Sequence, residues 1–298
     1  MKAQLSRLCT GLAFCLPWIL GLSIFTLYPV AASLYYSFCD YSVLQPAIWT
    51  GTENYSRLVH DEVFWISLKN TLIYAAFSLP LGMVVALSLA LLLNTNVRGM
   101  AIFRTIFYLP SIVPAVASSM LWLWIFNPSF GLLNWAIGPL FHLFGAEPPG
   151  WLGHPSWSKP ALILMSAWGV GNSMIIYLAG LQDVPEALYE AAEIDGASKW
   201  QQFWHVTLPM LMPVVYFNLI MGIIGSLQVF TEVFIMTGGT DGTPARSTLF
   251  YAPYLFATAF YDLRMGYASA MAWVLFCIIA LLTVLATKVL QNKINYAK

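Results

Sequence analysis

Charge is what this sequence lacks. Only 9% of its 298 residues are Asp, Glu, Lys or Arg, against roughly 25% in a soluble domain, so water is not its main solvent. Thirteen Lys and Arg balance thirteen Asp and Glu, which leaves no net positive charge to argue for nucleic-acid binding. Cysteine is scarce too: Cys9, Cys15, Cys39 and Cys277 have no metal or redox spacing and mostly sit in apolar sequence. His60, His142, His154 and His205 fall in loops or near the ends of apolar stretches, again without ligand spacing, and none is assigned chemistry. There is no G-x-x-x-x-G-K-[ST] phosphate loop, so no nucleotide site of that kind is expected on this chain. The absence of low-complexity segments and linkers points to one domain, residues 1–298.

What is there is apolar: 59% of residues are hydrophobic. Six charge-free windows stand out, Leu8 to Cys39, Asn70 to Val97, Thr105 to Ala146, Pro160 to Gln182, Trp200 to Thr231 and Met265 to Thr287. Each can hold the roughly 20 residues that cross a bilayer core, where an ionised side chain costs about 2.5 to 3.5 kcal/mol even on an insertion scale. The third is too long for one helix, and the turn chemistry of "NPSFG", Asn127 to Gly131, ends it. The expected fold is an all-α integral membrane protein with six transmembrane helices, near 9–37, 70–94, 105–126, 160–182, 209–234 and 266–288.

Basic residues give the orientation. With both termini in the cytoplasm, the inner segments hold Lys2, Arg7, Arg98, Arg104, Lys199, Lys288, Lys293 and Lys298, and the longer outer loops hold Arg57, Lys69, Lys159, Arg246 and Arg264. Lys2 and Arg7 precede an apolar run too long for a signal peptide, which makes it a first transmembrane helix. In the outer loops, "WTGTENYSRLVHDEVFW" suits an interfacial or amphipathic element, and "EPPGWLGHPSW" can be neither helix nor strand for long. Trp135, Trp151 and Trp157 read as headgroup anchors.

The stretch 183–208, between the fourth and fifth spans, is different. It gathers Asp183, Glu186, Glu190, Glu193 and Asp195. Pro185 suits a helix start, and acids in the first turns complement the helix dipole. Gly196 then interrupts, Ala197 to Val206 reads as a second short helix, and Pro209 opens the next span. Solvation alone does not explain this pattern. Ala191, Ala192 and Ala197 would let a partner surface approach the backbone beside Glu190 and Asp195, so the stretch reads as a docking knob.

"EAAEIDGASKWQQFWHVTLP", Glu190 to Pro209, resembles the EAA loop of the membrane subunits of ATP-binding-cassette importers. "LAGLQDVPEALYEAA" before it and "MTGGTDGTPARST" after the fifth span are similar to the carbohydrate-uptake branch, and "TENYSRL", "LKNTLIY", "VRGMAIFRTIFYLPSIVPAVASSMLW", "NPSFGLLN" and "MGYASAMAWVLF" extend the likeness over nearly the whole chain. The resemblance implies a multi-pass permease of a bacterial or archaeal cell (inner) membrane. It implies a cytoplasmic coupling helix docked on an ATPase subunit, with Glu190 facing a basic residue of that partner, Gly196 making the turn and Asp195 helping to cap the second short helix. The implied partners are a second homologous permease, two nucleotide-binding subunits carrying ATP and Mg, an extracytoplasmic solute-binding protein, the sugar and the surrounding lipid. No cofactor is implied on this chain, and the role is not enzymatic. One departure is that only Lys199 follows the glycine where the family often places more basic residues.

A sugar needs hydrogen-bonding groups and aromatic faces, so polar residues inside spans are the candidates for its path. The fourth span offers Trp168, Asn172, Ser173 and Tyr177; the fifth offers Asn218, Ser226, Gln228 and Glu232. Such residues can also simply bond a neighbouring helix, and Glu232, near a span end, can be interfacial. The runner-up is a permease for a polyol or glycerol phosphate, although a phosphate would favour Arg or Lys in the path, and the spans supply none convincingly. A self-contained ion-coupled transporter would bury an ionisable relay and show repeated halves; a membrane enzyme would cluster His, Asp or Glu. Neither pattern is present.

Overall fold

Proline and glycine decide where the apolar stretches bend. The computed structural model describes residues 2–95 and 97–294, with side chains over 11–95 and 97–290. Lys298 therefore lies outside the described residues, as do the side chains of Lys2, Arg7, Cys9 and Lys293. Internal contacts divide the chain into two units, Met1–Asp61 with Leu255–Phe276, and Glu62–Tyr254 with Cys277–Lys298.

In the first unit, helix α1 (Lys2–Leu22) passes through a π-helical turn (Ser23–Leu27) into α2 (Tyr28–Ser37). An antiparallel hairpin follows, β1 (Cys39–Ser42) and β2 (Gln45–Trp49), pairing Cys39 with Trp49 and Asp40 with Ile48. The sequence reading did not foresee strands here. The amphipathic element it expected is α3 (Glu53–His60). Buried Asn54 locks this region by donating to the carbonyls of Ser37 and Cys39 at 3.0 and 2.8 Å, and Tyr55 donates to Ser37 Oγ at 2.8 Å. Tyr267 donates to Asp61 Oδ2 at 2.6 Å, and the Arg264 guanidinium lies over the Tyr267 ring.

The second unit is built on α4 (Glu62–Leu93), which starts eight residues before the expected span. Next come α5 (Met100–Ile112) and α6 (Ala115–Ile125), then α7 (Leu132–Leu143) inside what was expected to be loop. They are followed by α8 (Pro155–Ser166), α9 (Gly171–Gln182), α10 (Glu186–Ile194) and α11 (Lys199–Gln202). A second π-helical turn (Phe203–Thr207) leads to α12 (Leu208–Met210), α13 (Met212–Leu227) and α14 (Thr231–Met236). The last helices, α15 (Tyr251–Phe260) and α16 (Met265–Ile294), run from one unit into the other.

Among the described residues, three helical stretches are long and apolar enough to cross a membrane, and up to six if each bent pair counts as one span. The pairs are α5 with α6, bent by 98°, α8 with α9, by 44°, and Lys199–Met210 with α13, by 67°. Two of these bends have a local cause in proline. Val113 precedes Pro114 and is extended, at ψ 128°, because the proline ring disfavours helix at the residue before it. Pro213 has no N–H to give the carbonyl of Pro209, so the ladder breaks at Leu211. Pro209 therefore does not open the fifth span as expected; it sits inside the preceding helical segment.

Packing in this unit rests on small residues that let helices approach, which matters because lipid removes most of the hydrophobic drive between helices. Ala86 and Ala90 of α4 are fully buried in a cluster with Met174, Tyr177, Leu178 and Leu181 of α9 and with Leu211. A second cluster joins Tyr74, Phe126, Trp151, Leu162, Met165, Val233 and Phe250. Trp151 is thus a core residue, not a headgroup anchor, and its indole N–H donates to Asn134 Oδ1 at 2.7 Å. Asn127 shapes the "NPSFG" turn, its Oδ1 accepting from the N–H of Ser129 and of Phe130.

Candidate functional site

Three breaks in the helices converge. Residues at the α5/α6 break (Val113, Ala115), the α8/α9 break (Trp168, Gly169, Val170) and the α13/α14 break (Gln228, Val229, Phe230) all line one cavity of about 700 Å³. One face of α4, with Tyr74, Ser78, Gly82 and Met83, closes another side. Irregular backbone at membrane depth is tolerated where it lines a cavity, and discontinuous helices are how many transporters build a solute site. The volume is in the range of small-molecule sites, about 300 to 1,000 Å³.

Of the residues expected to line a path, Trp168, Ser173, Asn218, Ser226, Gln228 and Glu232 do border this cavity. Asn172 and Tyr177 do not. Asn172 is exposed away from it, and Tyr177, 1% exposed, packs in the α4/α9 core. Tyr74, Ser78, Ser111, Ser118, Ser166 and Thr231 line the cavity without having been singled out. For Ser111, Ser118 and Ser166 the signal was polar residues recurring in apolar sequence close to Pro110, Pro114 and the "WGVG" break.

The polar groups are held in place by their own helices. Ser111 Oγ donates to Tyr108 O at 2.7 Å, Ser166 Oγ to Ile163 O at 2.6 Å, Ser226 Oγ to Ile223 O at 3.3 Å and Asn218 Nδ2 to Val214 O at 3.0 Å. Trp168 is braced edge-on by Trp122, with ring centroids 6.0 Å apart. Close approach positions α9: a Cβ on Gly171 would meet Ser111 Oγ at 2.8 Å and Tyr108 Cα at 3.0 Å, so only glycine lets α9 start there.

The 183–208 segment forms a second feature. Pro185 precedes α10 and Glu186 lies in its first turn. At its other end, Gly196 N–H donates to Glu193 O at 3.0 Å and Ala197 N–H to Ala192 O at 2.9 Å, the Schellman pattern, with Gly196 at φ +76°. The cap of α11 is not Asp195 as expected. Ser198 and Gln201 form a capping box, Ser198 N–H donating to Gln201 Oε1 at 2.8 Å, while Asp195 ends α10. A serine three residues before a glutamine is the pattern that satisfies two orphan N–H groups at once.

Glu190, Ala191, Asp195, Gly196 and Pro209 are exposed, and Ala192 is half-buried. Ala192, Asp195, Gly196, Ala197, Gln201, Gln202, His205 and Val206 border a concavity of about 260 Å³. Beside it Ile194 is 87% exposed. Lys199 Nζ donates to Glu193 Oε1 at 2.6 Å, and that hydrogen bond holds the Glu193 carboxyl below its ordinary range. Among the described residues no group of His, Cys, Asp and Glu could hold a metal ion.

Residues 78–295 match the family described as binding-protein-dependent transport system inner membrane component. A probable ABC transporter permease, YesP, of Bacillus subtilis is 40% identical over 96% of this chain and 92% of its own length. The lactose transport system permease protein LacF of Rhizobium radiobacter is 38% identical over 92% of each chain. The trehalose/maltose transport system permease protein MalF of Thermococcus litoralis is 33% identical over 94% of this chain and 92% of its own. Among solved structures, a bacterial ABC transporter involved in the import of the acidic polysaccharide alginate superposes with a TM-score of 0.83 at 25% identity, over 98% of each chain. The chain therefore belongs to the family of inner membrane components of binding-protein-dependent transport systems, the permeases of ATP-binding-cassette transporters.

Proposed function

We propose that this chain forms the translocation path for a sugar or oligosaccharide delivered by an extracytoplasmic binding protein. The observation that carries this reading is the cavity at the three helix breaks, rich in hydroxyl and amide groups and carrying an indole face at Trp168. Names among its relatives, lactose and trehalose/maltose, support the sugar class. Six spans with both termini in the cytoplasm, residues 1–298 acting as one transmembrane domain, complete the proposed arrangement. A second, homologous permease would form the other half of the path.

ATP hydrolysis on two separate subunits drives the cycle in this reading, with Mg-ATP bound there and not on this chain. Segment 183–208 is the coupling element: Glu190, Ala191, Ala192, Asp195 and Gly196 meet the ATPase, and the helical run through Pro209 passes its motion to α13. Its support is geometric. The segment is exposed, yet internally tied by the Schellman turn and the capping box, so a push at Gly196 moves the knob as a body.

Purification of the tagged full-length chain from its native membrane, with mass spectrometry of what accompanies it, tests the reading. Recovery of a second six-helix permease and an ATPase is the expected result, and the accompanying binding protein would then be screened against sugars. Recovery of the chain alone would leave the exposed knob without its partner and overturn the coupling assignment.

A further inference from the structure

Among the described residues that border the cavity, one, Glu232, carries a formal charge. It is half-buried at the start of α14, and no Lys, Arg or His is among the described residues that border the cavity. Glu232 forms no ion pair among the described residues. Among the described residues, nothing cationic that borders the cavity offsets its carboxylate.

Three of the neutral groups lean the same way. The hydroxyl protons of Ser111, Ser166 and Ser226 are committed to backbone carbonyls one turn back, so what these side chains turn toward a solute is oxygen lone pairs. The carboxylate and these lone pairs complement a solute that donates. Sugar hydroxyls donate, and a carboxylate can accept from two neighbouring hydroxyls at once, in charge-assisted bonds roughly twice as strong as neutral ones. A uronate or a sugar phosphate keeps hydroxyl donors but adds a group that only accepts and carries a like charge.

The geometry points to a path that selects uncharged, hydroxyl-rich solutes and turns away acidic ones, with Glu232 as the residue that sets the selection. This rests on the sugar-permease reading above and narrows it to a charge class. Two like charges about 5 Å apart disfavour the acid by about fourfold in a fully aqueous cavity. The factor exceeds about a hundredfold at the effective dielectric of a protein surface. A cationic amino sugar meets no such penalty.

The test uses the full-length chain, purified with its accompanying subunits into lipid nanodiscs, and equilibrium binding of glucose, galactose and maltose against glucuronate and galacturonate. Neutral sugars should bind at least about fourfold more tightly than the matched uronates at neutral pH and low salt. Glu232→Gln should bring the ratio close to one, and Glu232→Lys should reverse it. Equal binding of sugar and uronate by the unaltered chain would leave the sugar reading standing and overturn the charge selection. A preference that survives unchanged in Glu232→Gln would also overturn it, since some other group would then set the ratio. Binding of none of the five compounds would instead remove the sugar reading itself, and this proposal with it. The near-isosteric Gln variant and the unaltered chain carry the result even if Glu232→Lys fails to fold.

Discussion

The hydroxyl of Tyr189 lies 2.9 Å from that of Thr207, tying α10 to the second π-helical turn across the Gly196 junction. Thr207 is buried and Tyr189 half-buried, so water competes poorly for this bond. Removing the Thr207 hydroxyl costs Tyr189 this partner, whereas removing the Tyr189 hydroxyl leaves Thr207 its 3.4 Å bond to Gln202 O. Tyr189→Phe should destabilise the knob by about 1 to 2 kcal/mol, and Thr207→Val by a similar amount. Hydrogen exchange should quicken over 186–194 while the α4 core is unaffected. A double variant no worse than either single one would confirm that the two hydroxyls act as a pair; additive losses would show that they do not.

Gly196 separates two effects that one substitution would confuse. Its φ of +76° costs an L-residue about 1 to 2 kcal/mol, yet nothing lies within 4 Å of where a Cβ would stand. Gly196→Ala should therefore weaken the turn modestly and keep most uptake. Gly196→Arg adds little further strain within the chain, but projects a long cation from the proposed docking surface. It should abolish ATP-driven uptake with insertion and folding intact. Equal uptake by the Ala and Arg variants would mean that nothing docks at Gly196.

Much of this molecule was legible in its sequence, and the parts that were not share a physical reason. Charge-free windows report composition, so they locate membrane-compatible segments but are blind to direction. The 98° bend at Val113–Pro114 leaves composition unchanged, and only the Pro110 and Pro114 pair signals it. Direction also decides which polar residues meet. Met174, Tyr177, Leu178 and Leu181 recur with the helical repeat and face the α4 core, which removes Tyr177 from the cavity, whereas Ser173 falls beside that stripe and borders it. The capping box of Ser198 and Gln201 was readable from spacing alone, whereas the family resemblance pointed to Asp195 instead.

Asn70 holds the segment before α15 against α4. Its amide donates to Arg246 O and Leu249 O, at 2.9 and 3.0 Å, and its Oδ1 accepts from Lys159 Nζ at 2.9 Å. Asn70→Asp would give Lys159 a true ion pair, worth about 1 kcal/mol or less for a partly exposed partner. It would also remove both donations and turn a carboxylate toward two carbonyl oxygens at a site 5% exposed. The loss wins, and the variant should be destabilised by about 2 to 4 kcal/mol, with faster proteolysis over 237–250. A melting temperature in detergent equal to that of the unaltered chain would show that the ion pair compensates.

Gly171 tests whether the cavity depends on how closely α9 approaches α5. The atoms nearest a new Cβ are Ser111 Oγ at 2.8 Å, Tyr108 Cα at 3.0 Å and Tyr108 O at 3.1 Å. The serine hydroxyl could rotate away, at the loss of its bond to Tyr108 O, but two of the three contacts are backbone and cannot. Forcing one methyl into such a contact costs about 1 to 3 kcal/mol, and the strain is relieved by moving α9 outward. Ser173, one half-turn along α9, would move with it. Gly171→Ala should then lower thermal stability and weaken solute binding together, and Gly171→Leu should do both more severely. Gly180→Ala, where the nearest atoms are the side-chain ends of Val214 and Leu211, should lower stability alone. If both alanine variants lowered stability and spared binding, the cavity would not depend on where α9 begins.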